Sequence, residues 1–105
     1  MPLPSSPAYS GHTYHLYVIR VPDRDYVQAK LGEAGIETGV HYPIAIPFME
    51  AYENLGHSPS DFPVAYEQMS GLLSLPMYAE LTREKIAEVC RHLKNAVSRT
   101  MAAEE

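Results

Sequence analysis

Between residues 35 and 47 the chain reads Gly-Ile-Glu-Thr-Gly-Val-His-Tyr-Pro-Ile-Ala-Ile-Pro, and this stretch restricts the fold more than any other. Its alternation predicts a short strand from Ile36 to Tyr42, with Ile36, Thr38, Val40 and Tyr42 on the core side and Glu37, Gly39 and His41 on the other. Pro43 cannot donate to a sheet and Pro47 keeps the intervening residues extended, so the strand stops and leaves Ile44 and Ile46 with no helix to hide them. Glycine inside a strand marks the close approach of a ligand or another backbone, so Gly39 opens space beside His41 in which an imidazole could meet a guest. A strand-end histidine taken alone is more often a solvated or hydrogen-bonded structural residue than a ligand. On this bare face His41 is expected to have no protein partner, so removing it should barely affect folding.

Around this strand the remaining elements follow in order. Residues 1–11 hold three prolines, three serines and a glycine, which predicts a flexible lead-in resembling an interdomain linker. Tyr14 to Val21 is the strongest strand signal, β-branched and aromatic, apolar on both faces and therefore expected to be covered on both. Asp25 is the expected N-cap of a first helix in which Val27, Leu31 and Ala34 fall at helical spacing. Gly35 suits its left-handed C-terminal end, with Ile36 folding back on Leu31. A helical turn from Phe48 to Leu55 closes at Gly56, and a helix opening at Pro63 shows Ala65, Met69, Leu72 and Leu73 on one face. Ser74 to Pro76 leaves room for a strand of three residues at most. Thr82 caps the last helix, whose stripe of Ile86, Val89, Cys90, Leu93 and Val97 predicts a buried side, with Cys90 a small buried hydrophobe. Residues 12–99 form the domain and residues 100–105 a frayed tail. The order predicts an α/β two-layer domain, about three short strands with helices packed on the sheet.

Composition removes several classes of function. At 105 residues the chain is one domain that can bury ~65% of its unfolded surface without staples. A net charge of −5 with eight scattered basic residues offers no stripe for a phosphate backbone, so no nucleic-acid partner is expected. No apolar run reaches the ~20 residues that cross a bilayer, and a lone Cys90 fits a reducing compartment; a cytoplasmic protein without a membrane partner is expected. There is no glycine-rich phosphate loop, no Cys-x-x-Cys, no Gly-x-Ser-x-Gly and no His-Glu-x-x-His. His12 and His15 point to opposite faces of an extended segment, so no metal site is expected. Lys30, Lys85 and Lys94 all lie on predicted helices among charged neighbours, unlike the desolvated position a Schiff-base lysine needs.

Four blocks carry a resemblance: His12 to Val21, Gly35 to Pro43, Asp61-Phe62-Pro63-Val64-Ala65, and Leu73 to Thr82 (Leu-Ser-Leu-Pro-Met-Tyr-Ala-Glu-Leu-Thr). In that order and spacing, over about residues 12 to 95, the chain resembles the C-terminal small domain of the DegT/StrS-type aminotransferases. These are pyridoxal-phosphate (PLP) enzymes of fold type I that aminate nucleotide-linked keto-sugars. The resemblance implies that the cofactor lysine and phosphate contacts lie on a large PLP-binding domain that this chain lacks. Catalytic and cofactor-binding residues are then none in this chain, and no cofactor is bound by it alone. It further implies that the small domain closes over the nucleotide-sugar pocket, is inactive alone, and contributes His41 and its neighbour Tyr42 as substrate-binding residues. Tyr42 is the weaker because its phase points to the core. Where the family has a polar or histidine-bearing stretch, Ile44-Ala45-Ile46-Pro47 is apolar, and self-association through Ile44, Ile46, Phe48 and Met49 is expected. The alternative is a stand-alone, non-enzymatic binding module that keeps this fold.

Overall fold

The computed structural model describes residues 3–104. Strands β1 (Tyr17–Arg20) and β2 (Leu72–Leu75) pair antiparallel, with Tyr17 opposite Leu75 and Arg20 opposite Leu72. β1 starts three residues later than Tyr14. Ahead of β1, Tyr14 has left the extended region at φ 50°. At the other end the Val21 N–H donates to the Gly71 carbonyl at 2.9 Å, adding one bond beyond the ladder.

Among the described residues the sheet has two strands, and the expected third is reduced to a single bridge between Gly39 and Ser74 on the free edge of β2. The Gly39 N–H donates to the Ser74 carbonyl at 3.0 Å and the Ser74 N–H to the Gly39 carbonyl at 2.7 Å. In this register the next hydrogen-bonded pair would join Glu37 to Pro76, and proline again withholds the donor. Leu72 and Leu73, expected on a helix face, belong to β2 instead. The helix that opens at Pro63 stops at Gln68, and a short apolar run does not distinguish strand from helix by its periodicity.

Helix α1 (Arg24–Glu33) begins one residue before the expected cap. Asp23 occupies the N-cap position at φ 46°, which a short polar side chain tolerates, and Asp25 sits in the first turn, where its charge favours the helix dipole. Its C-terminal end follows the expected chemistry. Gly35 takes φ 80°, its N–H donates to the Gly32 carbonyl at 3.0 Å, and the Ile36 N–H donates to the Leu31 carbonyl at 2.9 Å. Helix α2 (Pro63–Gln68) opens at its proline, and helix α3 (Arg83–Glu104) is capped by Thr82, whose Oγ1 accepts from the Lys85 N–H at 3.2 Å. The segment expected to fray is helical as far as Glu104; at its start Thr100 is buried and its hydroxyl donates to the Ala96 carbonyl at 3.1 Å. Glu105, like Met1 and Pro2 of the lead-in, lies outside the described residues. Residues 3–16 carry no helix or strand.

One core joins these parts. The cross-strand partners Ile19 and Leu73 are buried with Val27 and Leu31 of α1 and Leu93 and Val97 of α3, so both helices lie on one side of the sheet. Coverage of β1 on both faces does not follow, since Arg20 is exposed and Val18 only half-buried. α3 is buried along Leu93, Ala96, Val97 and Thr100, not along the whole predicted stripe. Cys90 is exposed, which corrects its assignment to the interior. Together with Leu81, Ile86 and Leu93 it lines an apolar groove of about 340 Å³ that Leu3, Tyr17, Leu75 and Met77 of the same chain also line.

The stretch from Tyr42 to Glu67 has no buried residue. It is organised as the 3-10 turns Ile46–Phe48, Glu50–Leu55 and Pro59–Asp61, and Gly56 ends the second at φ 68°. Phe48 meets Phe62 and Tyr66 edge to face, with ring centroids 6.4 and 5.4 Å apart. Such a contact holds the turns to one another without hiding their apolar side chains, and Ile46 remains 68% exposed. An exposed run of this kind should drive concentration-dependent self-association of the chain, and Ile46→Asp should suppress it. Light scattering that finds a monomer at high concentration, unaltered by the substitution, would refute this.

Candidate functional site

At the free edge of β2 the sequence sets up an unusual local arrangement. Gly39 lies directly across from Ser74, so His41, two residues on, stands diagonally across from the same serine. Because Gly39 has no side chain, the imidazole folds over it: a Cβ on Gly39 would stand 2.7 Å from His41 Cε1. The space that the glycine leaves is therefore filled by the ring of His41 itself and not held open for a guest. This brings Nδ1 to 2.8 Å from Ser74 Oγ. His41 thus has a protein partner, contrary to the bare-face expectation, while its Nε2 has no hydrogen-bond partner among the described residues.

Ser74 is 4% exposed, the polar residue within the otherwise apolar Leu72–Leu75 strand. Sequence reasoning passed over it. The available signal was a serine inside a leucine-rich strand, since a buried hydroxyl requires a partner.

Tyr42 is 72% exposed, which corrects its expected core phase. The alternation ends when the chain leaves the sheet after the Gly39 bridge, and the phenol turns to solvent beside His41, ring centroids 5.4 Å apart and edge to face. The two sequence-predicted site residues are therefore adjacent, one pinned to β2 and one free.

Downstream, a compact turn ends the exposed segment. The Ser58 N–H donates to Asp61 Oδ2 at 2.7 Å and the Ser58 hydroxyl does so at 3.1 Å. These bonds, with a contribution from the nearby His57, hold the Asp61 carboxyl below its ordinary range. The turn keeps Phe62 beside Phe48 and so fixes the shape of the apolar segment.

The three lysines lie on α1 and α3. Lys30 Nζ pairs with Glu33 at 3.2 Å and lies 5.7 Å from the Tyr26 ring centre; Lys85 stands over Tyr78 at 5.9 Å, and Lys94 is exposed. Lys30 is half-buried and Lys85, like Lys94, is exposed. Among the described residues no group of three His, Cys, Asp or Glu is placed to share a metal ion, and no helix is long and apolar enough to cross a membrane.

Known proteins share this arrangement of elements. The sequence model of the DegT/DnrJ/EryC1/StrS aminotransferase family matches residues 1–94. The erythromycin biosynthesis sensory transduction protein EryC1 of Saccharopolyspora erythraea is 38% identical over 92 residues, covering 88% of this chain and 25% of its own. The dTDP-3-amino-3,6-dideoxy-alpha-D-galactopyranose transaminase of Aneurinibacillus thermoaerophilus is 33% identical over 87 residues, covering 83% of this chain and 23% of its own. A DegT DnrJ EryC1 StrS aminotransferase from Brucella abortus superposes with a TM-score of 0.81 at 25% identity, over 90% of this chain and 26% of that one. The chain thus spans about a quarter of the length of the relatives it matches.

Proposed function

The chain belongs to the DegT/DnrJ/EryC1/StrS aminotransferase family, and from that premise we propose that it is the C-terminal small domain of a PLP-dependent transaminase acting on nucleotide-linked keto-sugars. In this reading it closes over the substrate pocket and lines it, and it is inactive by itself. The observation that carries the reading is the seating of His41: an imidazole fixed by Gly39 and Ser74 at a sheet edge, one nitrogen unengaged, next to an exposed phenol. Pinning a polar side chain in advance removes the entropy it would otherwise lose on meeting a ligand, which is how binding sites prepare contacts. His41 and Tyr42 are the residues assigned to the substrate.

PLP supplies the electron sink for amino-group transfer when bound. This chain offers it no fitting lysine, so in the proposed enzyme the large domain holds the cofactor and this domain supplies orientation and exclusion of water. The exposed segment from Ile44 to Tyr66 is assigned to the surfaces buried in the complete protein, because its apolar side chains find no cover within this chain.

Two measurements test the proposal. Treated with pyridoxal phosphate and borohydride, the chain alone should show no stoichiometric adduct on Lys30, Lys85 or Lys94; such an adduct would overturn the division of labour. Replacing the C-terminal quarter of the Aneurinibacillus transaminase with this chain should preserve transamination of its nucleotide-linked sugar. A folded but inert hybrid would favour the stand-alone binding module.

A further inference from the structure

We propose that Ser74 is a positioning residue that sets the direction of hydrogen bonding at His41: its hydroxyl donates to Nδ1, the proton of the neutral ring is held on Nε2, and His41 presents an N–H donor to an oxygen acceptor. Only the identity of what meets that donor rests on the functional reading above. The arrangement of the donor does not.

The direction follows from what the buried serine can do. Ser74 Oγ makes its one hydrogen bond among the described residues to His41 Nδ1, and the backbone carbonyl of Ser74 is already taken by the Gly39 N–H. If Nδ1 carried the proton and donated, the serine hydroxyl proton would be left without an acceptor in a residue that is 4% exposed. An unpaired buried donor is the more expensive arrangement, because it has lost water and gained nothing. With the hydroxyl donating, Nδ1 is the acceptor and the proton of the neutral imidazole resides on Nε2.

Gly39 makes room for this arrangement. The ring rests where a side chain on Gly39 would be, so a larger residue there would push it off the serine. Neutral His41 so held is a donor and not a proton acceptor towards its ligand. Its recognition chemistry is therefore that of an amide N–H, matched to an oxygen bearing lone pairs, and it cannot take a proton from a ligand hydroxyl through Nε2.

Long-range proton–nitrogen spectra of the ¹⁵N-labelled full chain, recorded at a pH where the ring is neutral, read the tautomer directly. The expected spectrum shows His41 as a single form, Nε2 protonated and Nδ1 bare, and a nuclear Overhauser spectrum of the same sample should show cross-peaks from the ring to the Gly39 α-protons. Ser74→Ala should introduce a resolvable fraction of the Nδ1-protonated form and weaken those cross-peaks, and Ser74→Thr, which keeps the hydroxyl, should restore both. A proton on Nδ1 in the unsubstituted chain overturns the proposal whatever the variants do. So does Ser74→Ala with tautomer and cross-peaks unchanged. Neither outcome depends on transaminase activity, so failure here is distinct from failure of the substrate assignment, which the kinetics of His41→Ala decide.

Discussion

Leu31→Ala should destabilise the chain by ~2–5 kcal/mol, the range for removing a fully buried leucine when the surroundings cannot collapse into the space. Leu31 has no exposed surface and sits where α1 meets α3 and the Ile19–Leu73 pair. It also anchors the helix end, since its carbonyl receives the Ile36 N–H at 2.9 Å and Ile36 is part of the same core. Helix termination and packing therefore weaken together. Small domains hold a net stability of ~5–15 kcal/mol, so the loss takes a large share, and denaturant titration should show an earlier midpoint or no cooperative transition. Ile86→Ala is the control. Ile86 shares the apolar stripe of α3 but is 44% exposed, and its truncation should cost under ~0.5 kcal/mol in this chain. Equal effects at the two positions would mean that the first half of α3 is packed as tightly as the second.

That contrast shows where the sequence was readable and where it was not. Local chemistry was legible: Thr82 caps α3, Pro63 opens α2, and Gly35 and Gly56 end their elements at positive φ, each effect confined to a few neighbouring residues. Periodicity identified an apolar side on α3 but not whether this chain supplies its cover, hence Ile86 and Cys90 are exposed while Leu93 and Val97 are buried. Two of the short strands were overestimated. Tyr14 has left the extended region ahead of β1, and Pro76 withholds a donor from the continuation of the Gly39 segment. The alternation that placed Tyr42 inward assumed a strand that ends at Gly39. His41 and Ser74 are 33 residues apart, so their bond followed from no local pattern, and the close approach that Gly39 flagged is made by the His41 ring and not by a guest.

His41→Ala, in the hybrid enzyme that carries this chain, should lower kcat/KM by ~10- to 150-fold, the equivalent of ~1.5–3 kcal/mol for a hydrogen bond to a charged or strongly polar group. The bond to Ser74 changes the expectation for folding. Truncating His41 strands the serine hydroxyl, so stability should fall as well, by ~1–3 kcal/mol if that hydroxyl stays dry. A drop in melting temperature on its own therefore no longer argues against a role at the substrate. The double substitution separates the two roles. Removing both partners at once leaves no orphaned group, so His41→Ala with Ser74→Ala should regain most of the stability while kcat/KM stays as low as in His41→Ala. Gly39→Ala gives an independent check, because its methyl would meet the ring at 2.7 Å and push the imidazole off the serine, and it should reproduce the kinetic loss with His41 still present. If His41→Ala lowers stability and leaves kcat/KM intact, the imidazole serves only to satisfy Ser74, and His41 is not a substrate residue.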